Sequence, residues 1–237
     1  MQKKEISIVI PILNEEKNIF PLTKKIISEL KKLKFEIIFV DDNSTDNSKR
    51  KLNFLKAKHS FFNPIFRKKI SRDLTQSCFL GIENAKYKNI LIMDGDMQHD
   101  PKYINKMINI FNTQNLDLVV GARKLKQGPN KGLSETRRFA SLFLIFLFSI
   151  FKINTSDPMS GFFLFKKEIY LKNKNYYFGK GFKILADILI NSKNSLKVKD
   201  VFINFEKRLE NQSKMNFRIL IILIFFYLKS VLKKLFI

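Results

Sequence analysis

The sequence of 237 residues is poor in several residue types on which particular classes of protein depend. Its single cysteine, Cys78, excludes an internal disulfide framework and a zinc site built from cysteines. Its two histidines, His59 and His99, argue against a multi-histidine metal centre and against a Ser-His-Asp triad. We interpret Cys78 as a core residue on an apolar helical face and His99 as a structural residue of a turn.

Two phosphate-binding motifs are also absent. Neither G-x-G-x-x-G nor G-x-x-x-x-G-K-[ST] occurs, which argues against a dinucleotide-binding Rossmann site and against a P-loop. No tryptophan is present, although 25 residues are phenylalanine and 45% are hydrophobic, enough to build a core. No signal-peptide pattern precedes the first strand-like run, so we expect the protein to work in the cytoplasm.

Positive charge is in large excess. The chain has 44 Lys and Arg against 21 Asp and Glu, a formal net charge of +23. Such an excess suggests a polyanionic partner, which could be nucleic acid, an anionic membrane surface or phosphorylated substrates. Because the lysines are spread along the whole chain, compositional drift towards Lys, Asn, Ile and Phe explains it equally, and composition leaves the choice open.

Strand and helix patterns alternate as far as residue 121. Buried strands are predicted at residues 5–12, 35–41 and 89–94, with a weaker strand at 64–67 and another at 116–121. Helical patterns separate them, and Ser44 or Thr45 is a candidate cap of the second helix. This order predicts an α/β fold with a mostly parallel sheet and helices on both faces, whose functional edge lies at the carboxyl ends of the strands.

Three of these strands run into acidic clusters, at Asn14-Glu15, Asp41-Asp42 and Asp94-Gly95-Asp96. Asp94 and Asp96, with the amide of Gln98, could bind Mg²⁺ or Mn²⁺ that bridges to substrate phosphates. An isolated Asp-Gly-Asp is an ordinary solvated turn, but the strand and the neighbouring clusters favour the metal site. Asp42 could bind a base or ribose or could cap a helix, and Glu15 could equally be a helix N-terminal acid.

The pattern changes after residue 121. Residues 123–138 are basic and irregular, and residues 139–151 are apolar on every side but too short to span a bilayer. A helix in the membrane interface fits residues 139–151 better than a core helix does. Residues 218–237 combine an apolar run with lysines, which is typical of an amphipathic anchor or of the start of a short span.

The residues resemble the signatures of family 2 glycosyltransferases of GT-A fold, and among these the polyprenyl-phosphate glycosyltransferases of the dolichol-phosphate mannose synthase group. The resemblance rests on segments that follow one another in order over nearly the whole chain: IVIPILNEEKNI (8–19), VDDNSTDNS (40–48), MDGDMQHDP (93–101), VVGAR (119–123), residues 137–141, DPMSGF (157–162), GFKIL (181–185) and FEKRLENQSK (205–214). Each segment is weakly specific alone, but the ordered set is highly specific.

The resemblance implies roles for residues on the donor side and on the acceptor side. It implies that the nucleotide sugar is bound by Pro11, Asn14, Glu15, Asp42 and Asp94, that Arg208 and Lys214 close over its diphosphate, that Asp94, Asp96 and Gln98 hold the metal, and that Arg123, Arg137 and Ser141 grip the acceptor phosphate. Asp157 is a candidate base on the acceptor side, with a structural role in the turn before Ser160-Gly161 as the alternative.

Two residues depart from the family pattern. Phe163 stands where the family often has Arg, and Asp187 stands where it usually has Glu, which puts the acceptor-side geometry in doubt. Without tryptophan the chain cannot carry the Gln-x-x-Arg-Trp motif of processive polysaccharide synthases. A lipid phosphate is already an anionic nucleophile and needs positioning more than a base, in keeping with the scarcity of histidine.

We therefore expect an inverting, metal-dependent transferase that moves a hexose, mannose from GDP-mannose, onto a polyprenyl phosphate at the cytoplasmic face of the membrane. Residues 1–125 would bind donor and metal, 126–217 the acceptor, and 218–237 an anionic membrane surface, with or without a separate membrane subunit. The rivals are a transferase with a UDP-sugar donor or a hydroxyl acceptor, a catalytically dead membrane scaffold, and a basic nucleic-acid-binding protein. The last gives no reason for three acidic strand ends, so no nucleic-acid partner is expected.

Overall fold

The computed structural model describes residues 5–68, 71–124, 151, 153–181, 183–192, 194–206 and 225–231. Within this part of the chain the strands are β1 (Glu5–Ile12), β2 (Lys34–Asp41), β3 (Ile65–Phe66), β4 (Asn89–Ile92), β5 (Leu118–Arg123), β6 (Phe163–Lys166) and β7 (Val198–Ile203). The helices are α1 (Glu16–Leu30), α2 (Ser48–Lys58), α3 (Leu74–Asn84), α4 (Ile104–Thr113, after a 3-10 turn at Pro101–Tyr103), α5 (Lys167–Asn173, followed by a 3-10 turn at Lys174–Tyr176) and α6 (Ile184–Asn191). Residues 225–231 are also helical.

The described strands form one mixed sheet in the order β3-β2-β1-β4-β6-β5-β7. β1 pairs in parallel with β2 and β4, β2 with β3, and β5 with β7. β6 is antiparallel to both of its neighbours, β4 and β5. The prediction of a mostly parallel sheet is therefore confirmed, and the reversed β6 brings its amino end to the edge where the other strands end.

Helices cover both faces of the sheet, because alternate residues of each buried strand point in opposite directions. In β1, Ile8 and Ile10 belong to one core cluster, with apolar residues of α1, α2 and α4. Val9 belongs to the other cluster, with α3, α5 and α6. A Cβ at Gly81 of α3 would come 2.3 Å from Val9 Cγ1, so glycine is what allows this close helix–strand approach.

The structure corrects several local predictions. α2 begins at Ser48 after Asn47, so Ser44 and Thr45 do not cap it. Ser44 instead bonds to the turn after β1, where its Oγ accepts from the Asn14 backbone N–H at 2.8 Å. Asp42 is not a helix cap either, since its carboxylate pairs with Arg67. Strands β6 and β7 lie beyond residue 121, where no strand was predicted, because short apolar runs there lack the strand–helix alternation that identifies the earlier strands.

Both segments predicted to contact a membrane lie largely outside the described residues. That is so for residues 139–151 apart from Phe151, and for 218–237 apart from 225–231. Among the described helices, none has both the length and the apolar character needed to cross a bilayer. In the helix at 225–231, Phe226 is buried against Met159 and Ala186, whereas Phe225 is 61% exposed.

Candidate active site at the carboxyl edge of the sheet

A pocket of about 400 Å³ lies at the edge where β1, β2, β4 and β5 end and β6 begins. Of the predicted site residues, its lining includes Pro11, Glu15, Asp42, Asp94, Asp96, Gln98 and Arg123. Asn14 and Asp157 are outside the lining, and Arg137, Ser141, Arg208 and Lys214 are outside the described residues. The strand order thus brings residues separated by more than 100 positions into one cavity.

The segment after β4 folds back as a tight turn. Asp96 and Gln98 are buried, and the Asp96 Oδ1 accepts from the Gln98 backbone N–H at 3.1 Å. Met97, between them, has a left-handed φ of 66°. The Gln98 Nε2 donates to the Glu206 backbone carbonyl at 3.0 Å, which fixes the side-chain amide. The turn therefore holds one carboxylate and one amide in defined positions beside Asp94.

His99 supports this turn from behind. Its Nδ1 accepts from the Asp94 backbone N–H at 3.4 Å, and its ring stacks on Phe162 with centroids 5.2 Å apart. It is 2% exposed. The geometry agrees with the interpretation of His99 as a structural turn residue. Cys78 is likewise buried, and burial raises the pKa of its thiol, so it stays protonated as a core residue that also forms part of the pocket wall.

Gly161 lies against the Asp94 carboxylate in the lining of the pocket. A Cβ at this position would lie 2.5 Å from Asp94 Oδ2. Gly161 is therefore the residue that lets the Asp94 carboxylate lie directly against the backbone that leads into β6. This close contact places the Ser160-Gly161-Phe162 segment beside Asp94 in the site.

Asp42 is held by contacts on two sides. Arg67, which is buried, donates from Nη1 to Asp42 Oδ1, and the Asp73 backbone N–H donates to Asp42 Oδ2 at 2.7 Å. Burial raises the pKa of Asp42 above its usual value, although Arg67 and the Asp73 N–H oppose the rise. Arg67 also donates to Ser77 Oγ at 3.1 Å, so β3, β2 and α3 meet at this carboxylate.

The turn after β1 positions Glu15. Asn14 has a left-handed φ of 54°, and its Oδ1 accepts from the Thr45 backbone N–H at 2.8 Å. Glu15 occupies the N-cap position of α1 through its backbone carbonyl, which accepts from the Asn18 N–H at 2.9 Å. Its carboxylate is buried and accepts from Asn18 Nδ2 at 2.7 Å. Asn14 thus shapes the loop, and Glu15 faces the pocket.

Arg123 and Asp157 form an ion pair at the end of β5. Burial raises the pKa of Asp157, but the charge and hydrogen bonds of Arg123 outweigh it, so this pKa lies below its usual value. Asp157 is 0% exposed, and its Oδ2 also accepts from the Arg123 backbone N–H at 3.1 Å. A carboxylate with a lowered pKa is a weak base, so the geometry favours the structural alternative for Asp157.

Sequence reasoning missed several residues of the pocket, namely Arg72, Asp73, Lys183 and Phe205. It also missed Arg67, the partner of Asp42. Arg67, Arg72 and Asp73 follow the short strand β3. Functional residues of such sheets lie at the carboxyl ends of the strands, so the end of β3 is the signal that could have identified them. Lys183 and Phe205 stand in the segments GFKIL and FEKRLENQSK, but no role was predicted for either, because a local pattern does not show that the chain before α6 and after β7 returns to the pocket.

The oxygen groups at the turn after β4 fit a hard divalent cation. Within the described residues no three or more His, Cys, Asp or Glu side chains cluster closely enough to hold a metal. The candidate ligands are two carboxylates, Asp94 and Asp96, and one amide, Gln98. Such a set suits Mg²⁺ or Mn²⁺ that takes its other ligands from water and substrate phosphates, as is usual for these ions.

Residues 7–173 match the glycosyl transferase family 2. The chain is 32% identical over 214 residues to a dolichol-phosphate mannosyltransferase of Pyrococcus furiosus, covering 89% of this chain and 59% of that protein. It is 31% identical over 231 residues to the dolichol-phosphate mannosyltransferase of Saccharomyces cerevisiae, covering 92% of this chain and 83% of that protein. The chain thus spans about three fifths of the archaeal relative.

A solved structure supports the fold independently. Glucosyl-3-phosphoglycerate synthase from Mycobacterium tuberculosis, crystallised with Mn²⁺ and UDP-glucose, superposes with a TM-score of 0.69 at 16% identity. The superposition covers 97% of this chain and 78% of that one. At this identity the likeness concerns the fold, and the predicted GT-A architecture is confirmed. The match over residues 7–173 and the relatives at 31% and 32% identity show that the chain belongs to glycosyl transferase family 2.

Proposed function

We propose that the protein is an inverting glycosyltransferase that moves mannose from GDP-mannose onto a polyprenyl phosphate of the dolichyl type. The observation that carries the proposal is the assembly of Asp42, Asp94, Asp96 and Arg123 around one pocket of about 400 Å³. Carboxylates for a nucleotide and a cation, beside an arginine for a phosphate, suit this pair of substrates. The names of the archaeal and yeast relatives supply the sugar and the lipid.

The donor half of the pocket would be built by residues 1–125. Asp42 would accept hydrogen bonds from the base or ribose, with Arg67 keeping its carboxylate ionised. Pro11 and Glu15 would border the nucleotide, and Asn14 would hold their loop in shape. Arg208 and Lys214 would close over the diphosphate.

In the reaction, an acceptor phosphate oxygen attacks the anomeric carbon and the bond from that carbon to the diphosphate oxygen breaks. The nucleoside diphosphate leaves with the bonding electrons, and the configuration at the carbon inverts. The nucleophile is already an anion near neutral pH, so no group has to remove a proton from it. Arg123, Arg137 and Ser141 would position the phosphate, and holding the reactants in the right orientation lowers the barrier.

Asp94, Asp96 and Gln98 would hold Mg²⁺ or Mn²⁺. When bound, the cation supplies positive charge that neutralises the diphosphate as it leaves. The buried turn that fixes Asp96 and Gln98 would keep those oxygens in place without reorganisation. Asp157 would act through Arg123, holding the guanidinium, and not as a base.

The acceptor half, residues 126–217, and the basic, apolar residues 218–237 would bring the pocket to the cytoplasmic membrane surface. The described part of that tail agrees with such a role, since Phe225 and Leu228 are 61% and 53% exposed. Exposed aromatic and aliphatic side chains beside lysines are typical of segments that contact anionic lipid.

A second candidate donor is a UDP-sugar. It is favoured by the structural likeness to a synthase crystallised with UDP-glucose. The two donors differ in the base that Asp42 and its neighbours would meet. The acceptor chemistry stays the same in both cases.

Transfer of radiolabelled sugar into an organic-soluble lipid fraction tests the proposal. GDP-mannose and UDP-glucose are each supplied with dolichyl phosphate in detergent and with Mg²⁺ or Mn²⁺. Label from GDP-mannose in the lipid fraction is the expected result, and label from UDP-glucose alone would favour the second candidate. Label that stays water-soluble with both donors would contradict a lipid-phosphate acceptor.

A further inference from the structure

Lys183 belongs to the wall of the pocket, one residue before α6 begins. None of the roles given above includes it. The residue is half-buried, and its charge contributes to the lowered pKa of Asp157. Lys183 and Arg123 both line the cavity, and Asp157, the partner of Arg123, is close enough to be affected by the charge of Lys183.

The backbone leading to Lys183 is tied to the start of α3. The Gly181 N–H donates to Asp73 Oδ2 at 2.8 Å, and the Gly181 carbonyl accepts from both the N–H and the Oγ1 of Thr75 at 3.0 Å. Gly181 adopts a left-handed φ of 92°, which favours glycine. Asp73 is also the residue whose N–H donates to Asp42, so one short segment contacts both the donor carboxylate and the loop before Lys183.

A second anchor fixes this loop from the side of α6. The Asp187 carboxylate accepts from the Phe178 N–H at 2.9 Å and from the Gly179 N–H at 2.8 Å. Its Oδ1 also accepts from Asn191 Nδ2 at 2.8 Å. The position of Lys183 is thus determined by hydrogen bonds on both sides, an arrangement that reduces the entropy lost when a ligand is bound.

The Arg123–Asp157 pair cannot by itself offset the charge of a phosphate. Arg123 already gives its Nε and Nη2 to Asp157, at 2.7 and 2.8 Å, so the pair carries no net charge. A phosphate that arrives beside this pair needs another cation to offset its charge. An ammonium group on a flexible stem can follow a phosphate as it moves during reaction.

We propose that Lys183 binds a substrate phosphate, and that this phosphate is the one on the lipid acceptor. The inference rests on the proposed function and extends it by one residue. The donor diphosphate offers the same chemistry at the other side of the pocket, so the experiment separates the two sources.

Lys183→Met is compared with wild type, with Lys183→Arg and with Lys180→Met, an exposed lysine of the same loop outside the pocket lining. Two quantities are measured: the dissociation constant for GDP by calorimetry and the KM for dolichyl phosphate at saturating GDP-mannose. We expect Lys183→Met to raise the KM for dolichyl phosphate at least tenfold with GDP affinity within twofold of wild type. Lys183→Arg should recover part of the loss, and Lys180→Met should behave as wild type.

A loss of GDP affinity with an unchanged KM for dolichyl phosphate would overturn the assignment to the acceptor. Wild-type values for both quantities in Lys183→Met would overturn phosphate binding altogether. If wild-type protein transfers nothing to the lipid, the proposed function has failed. Binding of inorganic pyrophosphate then tests whether Lys183 binds phosphate at all. Weaker pyrophosphate binding by Lys183→Met than by Lys180→Met would support a phosphate-binding lysine, and equal binding would overturn it.

Discussion

Arg123 and Asp157 are joined by two parallel hydrogen bonds, Nε to Oδ2 at 2.7 Å and Nη2 to Oδ1 at 2.8 Å. Arg123 is the last residue of β5, and Asp157 belongs to the loop before β6. The pair therefore ties together the two points at which the chain leaves the sheet and returns to it. Because both groups are buried, each charge depends on the other for its stability.

Asp157→Asn should lower the free energy of unfolding by about 3–5 kcal/mol, because it leaves the buried Arg123 charge without its partner. Urea denaturation followed by circular dichroism measures the change. The matched control is Glu168→Gln, which removes the exposed ion pair with Lys172 and should cost less than about 0.5 kcal/mol. Equal effects of the two substitutions would contradict the importance of the buried pair.

Acid should destabilise the protein partly through Asp157. Its pKa is lowered in the folded state, so the stabilisation is complete above the ordinary carboxyl pKa of about 3.9 and is lost as the pH falls through the lower, folded value. The unfolding free energy of wild type should therefore drop on acidification below about pH 4.

The Asp157→Asn variant should show a shallower loss over the same pH range, because it lacks this titrating group. Urea denaturation repeated at steps from pH 6 to pH 3 gives the comparison. Asp100 and Asp117, whose pKa values are also lowered, titrate in both proteins and so cancel in the difference. Parallel curves for the two proteins would mean that Asp157 does not contribute.

Asp96→Ala should abolish metal-dependent transfer, with a loss of at least about 100-fold in kcat, and should leave the fold intact. The Asp96 carboxylate lies in the turn after β4, where it would hold the cation and where its Oδ1 also accepts from the Gln98 backbone N–H. Activity at saturating Mg²⁺ or Mn²⁺ and the circular dichroism spectrum are the measurements.

Asp100→Asn is the matched control for Asp96→Ala. Asp100 caps the 3-10 turn, where its Oδ1 accepts from the Lys102 N–H at 3.1 Å, and an asparagine oxygen can do the same. This variant should keep wild-type activity. Full activity of Asp96→Ala would remove the carboxylate from the metal site.

Arg67→Met should weaken GDP binding by about 10- to 100-fold, since charged hydrogen bonds to the buried Asp42 are lost. Without the guanidinium, burial would raise the pKa of Asp42 further. As the pH is lowered, the variant should therefore lose its affinity for GDP at a higher pH than wild type does. Calorimetric titration with GDP between pH 5 and pH 8 measures both effects. Arg50→Met, on the exposed face of α2, should change neither, and an unaltered affinity in Arg67→Met would contradict the dependence of nucleotide binding on the Arg67–Asp42 pair.

The first half of the fold could be predicted because its strands are continuous apolar runs. Ile6 to Ile12 is buried throughout, and its parallel partners follow at regular spacing. β6 could not be predicted from an apolar run in the same way, since it has only four residues. It pairs antiparallel with β4 and β5, both of which lie far from it in sequence. Its direction follows from tertiary pairing and not from any local pattern.

The residues of the candidate site also fall into those that the sequence predicts and those that it does not. Asp42, Asp94 and Asp96 were predicted because each follows a recognisable strand. Arg67 was missed because β3, which precedes it, has only two residues. Lys183 was missed although it stands in GFKIL, because the backbone hydrogen bonds that hold its loop to the start of α3 are long-range contacts that a local pattern does not show.

The reversal of β6 also has a consequence for how such a protein can diversify. The chain leaves the sheet at Arg123 and re-enters on the adjacent strand at Phe163, where Gly121 N–H donates to the Phe162 carbonyl at 2.8 Å. The point where the chain leaves β5 and the point where it enters β6 are therefore next to each other in the sheet. The length of chain between these two points can therefore change without shifting the register of β5 against β6, provided that Asp157 keeps its pair with Arg123 and Gly161 its place against Asp94.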